Sequence, residues 1–419
     1  MPCPRLLTAL LLSRLKARPA VTLTGARQTG KTTLAKTLLS GPATLRYLSL
    51  DHPEVRLDLA RDPLKALHAP AGTVVVLDEI QKMPSLLDAV KFLIDEKAGP
   101  KFLLLGSAQI LLLKQVRETL AGRTSLLELW PLSLAERAGE APCALEPRIR
   151  RIWAEGIGAL SAAAPSGESR RVLRAASDEA LRWGGYPALL SIPDGAGRSD
   201  WLSDYRRTYL ERDLLDLGRV ADLDQFALAQ KLLAVRTACL LSASEVSRDL
   251  GVAVSTVQRF LRYLEISYQV HLLRPFHANI TKRLVRSPKF YWADVGMARF
   301  LAEREGLEDG AMYETHVLGE LLKWRSSEPI PPDLFFYRTQ AGLEVDFLVK
   351  GPRRALWIEA KAARRVGPPD ASSIRRVMKE HRLPGAIGLV VYRGEEAGEL
   401  SEGIWAVPDS WLFGNLSPS

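Results

Sequence analysis

The chain has 419 residues, of which 47% are hydrophobic and 25% charged, a composition typical of a folded protein with more than one domain. Its net charge of +9 is compatible with a nucleic-acid partner, although an arginine-rich solvated surface explains it equally well. Three scattered cysteines argue against a disulfide framework or a zinc site, and no apolar run reaches the about 20 residues of a membrane span, so we expect a cytoplasmic protein without membrane association.

The first 140 residues alternate between apolar runs of strand length and helical patterns. Strands are expected at residues 21–24, 45–50, 74–77 and 102–105, and helices at 6–15 and 32–39. Apolar strands separated by helices are typical of a parallel sheet that is covered on both faces. We therefore expect an α/β core in residues 1–140.

The sequence GARQTGKT, residues 25–32, lies between the first strand and the helix after it, and it has the spacing of a phosphate-binding loop. Glycine permits positive φ where the backbone must come close to phosphate oxygens, and the loop's N–H groups would cradle those oxygens at the helix N-terminus. Lys31 would supply charge to the β- and γ-phosphates of ATP, and Thr32 would coordinate Mg²⁺. The expected nucleotide-binding residues here are Gly25, Ala26, Arg27, Gln28, Thr29, Gly30, Lys31, Thr32 and Thr33.

Two acidic residues, Asp78 and Glu79, follow the apolar run VVVL. They lie at the carboxyl end of a strand, where open α/β sheets bind their ligands. We expect Asp78 to hold Mg²⁺ through water and Glu79 to orient or deprotonate the attacking water, so that Glu79 and Lys31 are catalytic. The alternative is an acidic pair that merely ends a strand, and the phosphate-binding loop upstream argues against it.

Two further polar positions belong to the expected nucleotide site. Ser107, with Gln109 near it, follows the strand FLLL, where it would either sense the γ-phosphate or cap a helix. Arg123 is either an arginine finger or an ordinary surface arginine. An arginine finger that acts on another subunit requires a homo-oligomer, which the sequence leaves open.

The composition changes after residue 140. Residues 141–170 are rich in Pro, Gly, Ala and Ser, which predicts a linker or an insertion. Residues 171–235 show amphipathic helical patterns. The region 141–235 is therefore expected to be a linker followed by a helical lid beside the ATPase core.

Residues 236–305 contain a helix–turn–helix pattern followed by two segments of strand length, VHLLRPF and PKFYWAD, which together predict a winged helix. One helix runs to Leu250, Gly251 makes the turn, and the second helix starts near Ser255. The alternative is a winged helix used only for packing or protein contact. The residues expected to contact duplex DNA are Ser255, Thr256, Gln258, Arg259 and Arg262 on the second helix, with Lys282, Arg283, Arg286 and Lys289 near the wing.

Residues 306–419 carry acids and a lysine at a spacing that resembles the PD-(D/E)xK nuclease signature. Asp346 lies on the strand LEVDFLV, Glu359 and Lys361 lie on one face of the strand ALWIEAK, and Glu320 lies on the preceding helix. Asp346 and Glu359 would hold Mg²⁺, Lys361 would stabilise charge or activate water, and Glu320 would be a fourth catalytic residue. The alternative is two strands with ordinary acids, and this fold also serves as a binding platform.

The motifs together resemble one known group, the bacterial and archaeal AAA-type P-loop ATPases that carry a C-terminal domain of unknown function. The resemblance rests on GARQTGKTTL, VVVLDEIQ, LLLGSAQ, GGYPALL, YLERDL, KFYWADVGMARFL, HVLGELL, GLEVDFLV and IEAK, which follow one another over nearly the whole chain. It implies an AAA+ core, a winged helix and a restriction-endonuclease-like α/β domain. It supplies no physiological role.

The resulting hypothesis is an α/β protein that hydrolyses ATP and binds nucleic acid, and the sequence leaves open whether it also cleaves nucleic acid at a metal-dependent C-terminal site. The alternative is a non-cleaving ATP-driven switch that binds DNA or protein and uses the nuclease fold as a scaffold. A signalling ATPase without nucleic-acid contact is the third hypothesis.

Overall fold

The computed structural model describes residues 4–38, 45–96, 99–106, 116, 118–137, 145–161, 165–211, 223–277, 287–307 and 309–414. The chain divides into two units. One consists of Met1–Pro131 with Ile266–Tyr268, and the other of Leu132–Glu265 with Gln269–Ser419. None of the described helices is long and apolar enough to cross a membrane.

The first unit is built on a sheet whose described strands are all parallel, in the order β2-β3-β4-β1-β5. The strands are β1 (Ala20–Thr24), β2 (Leu45–Ser49), β3 (Val74–Asp78), β4 (Lys101–Leu105) and β5 (Thr124–Glu128). The helices are Thr8–Ala17, Lys31–Leu38, Pro53–Arg61, Pro63–Leu67 and Leu86–Asp95, with a 3₁₀ helix at Ile80–Lys82.

Both faces of this sheet are covered. Along β3, Val75 packs into one hydrophobic cluster and Val76 into another, because successive side chains of a strand point to opposite faces. The Leu86–Asp95 helix contributes to the first cluster, and the Thr8–Ala17 and Lys31–Leu38 helices contribute to the second. The expected parallel α/β core is confirmed, and the phosphate-binding loop lies between β1 and the helix that begins at Lys31.

In the second unit, the helix–turn–helix pattern is present as Ala243–Leu250 and Val254–Ile266. The Ser242 hydroxyl caps the first helix by accepting from the Glu245 N–H, and Gly251 ends it with a φ of 65°. Beside these helices, the described residues form a small antiparallel sheet in the order β6-β8-β7. Its strands are β6 (Cys239–Leu240), β7 (Val270–Leu273) and β8 (Lys289–Trp292).

A larger mixed sheet occupies the C-terminal part of the second unit, with the described strands in the order β13-β14-β12-β11-β10-β9. The β9/β10 and β10/β11 pairs are antiparallel, whereas β11/β12 and β12/β14 are parallel. The strands are β9 (Asp333–Arg338), β10 (Glu344–Lys350), β11 (Ala355–Lys361), β12 (Ala386–Tyr392), β13 (Gly398–Ser401) and β14 (Ile404–Pro408). The accompanying helices are Val295–Ala302, Gly310–Ser326, Ser372–Glu380 and Asp409–Phe413.

The region expected to be a linker and a lid is helical and belongs to the second unit. Where the linker was expected, the Arg148–Glu155 helix buries Ile149 and Ile152 completely, and its Arg148 guanidinium lies 5.4 Å from the Trp411 ring centroid. These described residues are packed against the C-terminal helix and do not form an open linker. The helices of this region are Leu134–Arg137, Arg148–Glu155, Gly158–Ser161, Gly167–Trp183, Gly195–Tyr205 and Leu223–Val235, with a 3₁₀ helix at Pro187–Ser191 and a π-helix at Arg206–Glu211.

Candidate functional site

The phosphate-binding loop is held in an unusual backbone conformation. Gly25 has a φ of 145° and Gly30 a φ of 93°, which glycine adopts without strain. A Cβ on Gly25 would lie 2.2 Å from the Leu129 carbonyl oxygen, so the loop and the end of β5 leave no room for a side chain there. The Arg5 guanidinium fixes the same region, since it donates to the carbonyl oxygens of Thr29 and Trp130, both at 2.6 Å.

Lys31 is buried over this loop. Its ammonium donates to the carbonyl oxygens of Gly25 at 3.0 Å and Ala26 at 2.7 Å. Burial lowers the Lys31 pKa to about 8, although the charges of Glu79 and Asp78 oppose that change. The lysine is therefore positioned by the loop and poorly solvated, which favours an anionic partner.

Asp78 is the centre of a hydrogen-bond network at the carboxyl end of β3. Its Oδ2 accepts from the Thr32 hydroxyl at 2.7 Å and from the Tyr47 hydroxyl at 2.5 Å, and its Oδ1 accepts from the Glu79 N–H at 3.0 Å. A carboxylate and a hydroxyl at this separation are hard oxygen donors of the kind that Mg²⁺ prefers. The donor set of Thr32 and Asp78 thus fits the expected magnesium ion.

Glu79 follows Asp78 in a left-handed conformation with a φ of 59°, which is uncommon for a residue with a side chain. Its carboxylate accepts a hydrogen bond from the Gln81 amide. Burial and then the neighbouring Asp78 charge raise the Glu79 pKa, which makes the carboxylate a better proton acceptor. Strained backbone at such a position is typical of functional sites.

Arg123 lies at the amino end of the parallel strands, whereas the phosphate-binding loop lies at their carboxyl end. It directly precedes β5, whose first residue Thr124 pairs with Ala20 at the start of β1, whereas the phosphate-binding loop follows the end of β1. Five strand residues span about 16 Å, so Arg123 does not reach the loop of its own chain. Its guanidinium pairs with Asp95 at 2.7 Å. The expected sensors Ser107 and Gln109 lie outside the described residues.

In the C-terminal sheet, the structure brings Asp346, Glu359 and Lys361 together. Asp346 on β10 lies beside β11, where its Oδ2 accepts from the Ala360 N–H at 2.9 Å. Lys361 donates to Glu359 at 3.1 Å. Burial and the Asp346 charge raise the Glu359 pKa to about 8. This part of the expected acid–lysine group is present.

Glu320 does not join this group. Its carboxylate accepts from the Leu134 N–H at 2.9 Å, at the start of the Leu134–Arg137 helix, and from Lys323 at 2.7 Å. The acid of the Gly310–Ser326 helix whose charge interacts with Asp346 is Glu314. Six residues of α-helix correspond to about 240° of rotation beyond one full turn, so Glu314 and Glu320 point to different sides.

Sequence reasoning missed the most buried member of the cluster. Lys289, expected near a DNA-binding wing, is only 3% exposed. Its ammonium lies 2.9 Å from Glu314 Oε1 and 3.9 Å from Asp346 Oδ1, and it also pairs with Glu344. Burial acts to lower its pKa, but the charges of Glu314, Asp346 and Glu344 raise it. Lys289 is therefore a charged ammonium enclosed by carboxylates.

In the C-terminal cluster, Asp346 and Glu359 are the two acids expected to hold Mg²⁺, and they lie beside each other on adjacent strands. In the described parts of the chain, no group of three or more His, Cys, Asp or Glu side chains is arranged to hold a metal ion. The acids are instead partnered by the chain itself: Glu314 and Glu344 by Lys289, Glu359 by Lys361, and Asp346 by the Ala360 N–H.

The second helix of the helix–turn–helix presents its polar side chains outward. Ser255, Gln258, Arg259 and Arg262 are exposed and Thr256 is half-buried, while Val257, Phe260, Leu261 and Leu264 are buried. The expected separation of a polar face from a packing face is thus observed. Of the expected basic cluster, Lys282, Arg283 and Arg286 fall in a segment that the structure does not describe.

Three family models match consecutive parts of the chain. Residues 17–138 match an AAA domain. Residues 174–308 match a domain of unknown function, DUF8612, and residues 309–412 match a domain of unknown function, DUF4143.

Relatives occur in bacteria and archaea. The chain is 32% identical over 408 residues to the uncharacterized protein Rv2008c of Mycobacterium tuberculosis, an alignment that covers 96% of this chain and 82% of that protein. It is 22% identical over 343 residues to the uncharacterized protein MJ1544 of Methanocaldococcus jannaschii, covering 79% of this chain and 72% of that protein. Among solved structures, the Walker-type ATPase PABY2304 of Pyrococcus abyssi aligns with a TM-score of 0.44 and 13% identity, over 70% of this chain and 94% of that chain.

Proposed function

Because this chain belongs to the family of proteins in which an AAA domain precedes a C-terminal DUF4143 domain, we propose that it is an ATPase that hydrolyses ATP with Mg²⁺ and binds nucleic acid. In this proposal the C-terminal domain is a non-cleaving scaffold. The observation that carries the ATPase function is the network in which Thr32 donates to Asp78 beside the phosphate-binding loop.

Each residue of the ATP site has a role that follows from its surroundings. The loop amides and Lys31 would bind the phosphates, and Thr32 and Asp78 would hold Mg²⁺, which neutralises phosphate charge when bound. Glu79, whose pKa is raised by burial, would orient the attacking water and accept its proton. Ser107 remains a proposed contact to the γ-phosphate.

The ATPase proposal is tested by steady-state hydrolysis of the full-length protein. Lys31→Ala should abolish hydrolysis, and Glu79→Gln should lower kcat by about 100-fold or more while ATP still binds, because only the proton acceptor is lost. Lys91→Ala is the matched control, since Lys91 is an exposed lysine on the Leu86–Asp95 helix. Hydrolysis that survives Lys31→Ala overturns the assignment.

Nucleic-acid binding is supported by the exposed polar face of the Val254–Ile266 helix. Arg259 and Arg262 are exposed there, a suitable arrangement for contacts to phosphate, and Ser255, Thr256 and Gln258 lie on the same helix for contacts to bases. The net charge of +9 adds a long-range attraction to duplex DNA.

A salt titration of duplex-DNA binding tests this step. Affinity should fall steeply with salt, and the Arg259→Ala/Arg262→Ala double variant should lower the slope of log affinity against log salt by about 2, one per lost phosphate contact. Arg382→Ala, an exposed arginine outside this helix, should leave the slope unchanged. Binding that does not respond to salt would favour a protein-contact role for this module.

Cleavage is the second candidate function, favoured by the convergence of Asp346, Glu359 and Lys361 on two adjacent strands. Plasmid and linear duplex DNA incubated with Mg²⁺ or Mn²⁺ in each nucleotide state distinguish the two candidates. Intact DNA with salt-dependent retardation supports the scaffold. Cleavage that disappears in both Asp346→Ala and Lys361→Ala supports the nuclease.

A further inference from the structure

We call the group of Glu314, Glu344 and Asp346 around the Lys289 ammonium the acidic pocket. Its lysine comes from a different sheet. Lys289 is the first residue of β8, which pairs with β6 and β7 in the small sheet beside the helix–turn–helix. The acids around its ammonium come from two other elements: Glu314 from the Gly310–Ser326 helix, and Glu344 and Asp346 from β10. The lysine is thus enclosed by three carboxylates from two elements, both of which are remote from it in sequence.

The burial of this lysine excludes the ordinary explanation of a solvated surface ion pair. Its side chain is only 4% exposed, and those of Glu314 and Asp346 are each 14% exposed. Buried carboxylates that close to each other repel one another unless a cation lies between them. In this pocket the buried cation is covalently part of the chain, and the more exposed Glu344 also pairs with Arg338 at 3.1 Å. Tyr291, two residues further along β8 on the same face, donates its hydroxyl to Glu314 and holds that acid toward the lysine.

We propose that Lys289 is the resident cation of this acidic pocket and takes the place that a divalent metal ion takes in metal-dependent sites built from the same types of side chain. The pocket of the native chain therefore binds no divalent ion. This inference rests on the scaffold form of the proposed function and deepens it, because Asp346 of the D…ExK arrangement then faces a cation that the chain itself supplies, while Glu359 is paired with Lys361.

A second consequence concerns assembly of the second unit. Since the ammonium belongs to β8 and its carboxylates to the C-terminal domain, the pocket fastens the small sheet to the large one. A free metal ion at this position would have no covalent link to the small sheet. Lys289 accordingly has two roles: its charge offsets the repulsion among the carboxylates, and its ion pairs connect the two sheets.

The test uses the full-length protein with Lys289→Met, which keeps the length and apolar stem of the side chain and removes its charge. Thermal unfolding is measured without nucleotide in EDTA and in Mn²⁺, and bound Mn²⁺ is counted by titration. The wild-type midpoint should be the same in both buffers. The variant midpoint should fall in EDTA and rise by several degrees in Mn²⁺, with one more bound ion than in the wild type.

Lys323→Met is the matched control. Lys323 also forms a buried pair with a glutamate, Glu320 at 2.7 Å. Its loss should lower the midpoint in both buffers equally, because Glu320 keeps its bond from the Leu134 N–H, and the nearby Asp294 keeps its bonds from the Gly185 and Met297 N–H groups. Lys289→Arg should stay independent of Mn²⁺, because the positive charge is retained.

Three results overturn the inference. The first is a Lys289→Met variant that folds and gains neither stability nor a bound ion from Mn²⁺. The second is a Lys323→Met variant that gains as much as Lys289→Met does. The third is that the wild type binds Mn²⁺ and the Asp346→Asn variant does not. This comparison does not depend on the folding of Lys289→Met. ATP hydrolysis and DNA retardation by the wild type are scored separately, so loss of those activities contradicts the proposed function and not the role of Lys289.

Discussion

The Tyr47 hydroxyl and the Thr32 hydroxyl both donate to Oδ2 of Asp78, at 2.5 and 2.7 Å. One oxygen atom therefore receives one donor from the phosphate-binding loop and one from the neighbouring strand β2. Tyr47 has no place in the motif, yet it fixes the orientation of the carboxylate that the motif supplies.

Tyr47→Phe should weaken the use of magnesium and leave nucleotide binding in EDTA unchanged. Loss of one hydrogen bond to a charged group corresponds to about 1.5 kcal/mol, so the Mg²⁺ concentration for half-maximal hydrolysis should rise by about tenfold. A magnesium titration of hydrolysis and a fluorescent-nucleotide titration in EDTA measure the two effects. Tyr392→Phe, which removes a 2.5 Å bond to the Glu396 carbonyl in the other unit, should change neither.

Arg123→Ala should not alter ATP affinity or hydrolysis by dilute protein. Arg123 lies at the amino end of the strands, away from the loop at their carboxyl end, and it pairs with Asp95 at 2.7 Å. The comparison is with Lys31→Ala in the same assays. A drop in hydrolysis that appears only at high protein concentration would instead reveal an arginine finger supplied between subunits, and with it a homo-oligomer.

Glu320→Gln should lower the free energy of unfolding by about 2 kcal/mol without affecting DNA binding, because it removes the buried partner of Lys323 and weakens the bond from the Leu134 N–H. Urea unfolding measures the change. Glu402→Gln, at an exposed position, is the control and should have no effect. If a fully folded Glu320→Gln protein lost DNA binding, that result would contradict a purely structural role for Glu320 and support a functional one.

The pH dependence of stability should report on Glu359. Its pKa is raised to about 8 by burial and by Asp346, so the folded state keeps a proton that the unfolded state loses near pH 4.5. The contribution of this group is thus fully present below pH 4.5 and is lost as the pH rises through 8, at up to about 1.4 kcal/mol per pH unit. Urea unfolding at pH 5, 6.5 and 8 should show a flatter profile for Glu359→Gln. An unchanged profile contradicts the raised pKa.

The first unit was predictable because its signals are local. Short continuous segments contain each of these signals. They are the apolar run of β1 with the phosphate-binding loop that follows it, and the apolar run of β3 with the acids that follow it. The partners of those residues were not predictable. Arg5 reaches Trp130 over a separation of 125 residues and Tyr47 reaches Asp78 over 31, and no periodicity in the sequence encodes such pairs.

The choice between Glu314 and Glu320 shows another limit of sequence patterns. The Gly310–Ser326 helix is buried on nearly all sides, with Met312, Val317, Leu321 and Trp324 all at 2% exposure or less. A helix without a polar face has no amphipathic stripe to indicate which acid points to which neighbour. Spacing alone identified the helix that supplies an acid, but it selected Glu320, whereas the acid in the pocket is Glu314.

The close approach of Gly25 to Leu129 affects how mutations in the phosphate-binding loop are interpreted. A methyl group at position 25 would meet the Leu129 carbonyl oxygen at 2.2 Å, a contact within the protein itself. Gly25→Ala would therefore disturb the junction between the loop and β5 in the resting protein. An inactive Gly25 variant indicates a folding lesion, and only side-chain changes such as those at Lys31 isolate the contribution of phosphate recognition.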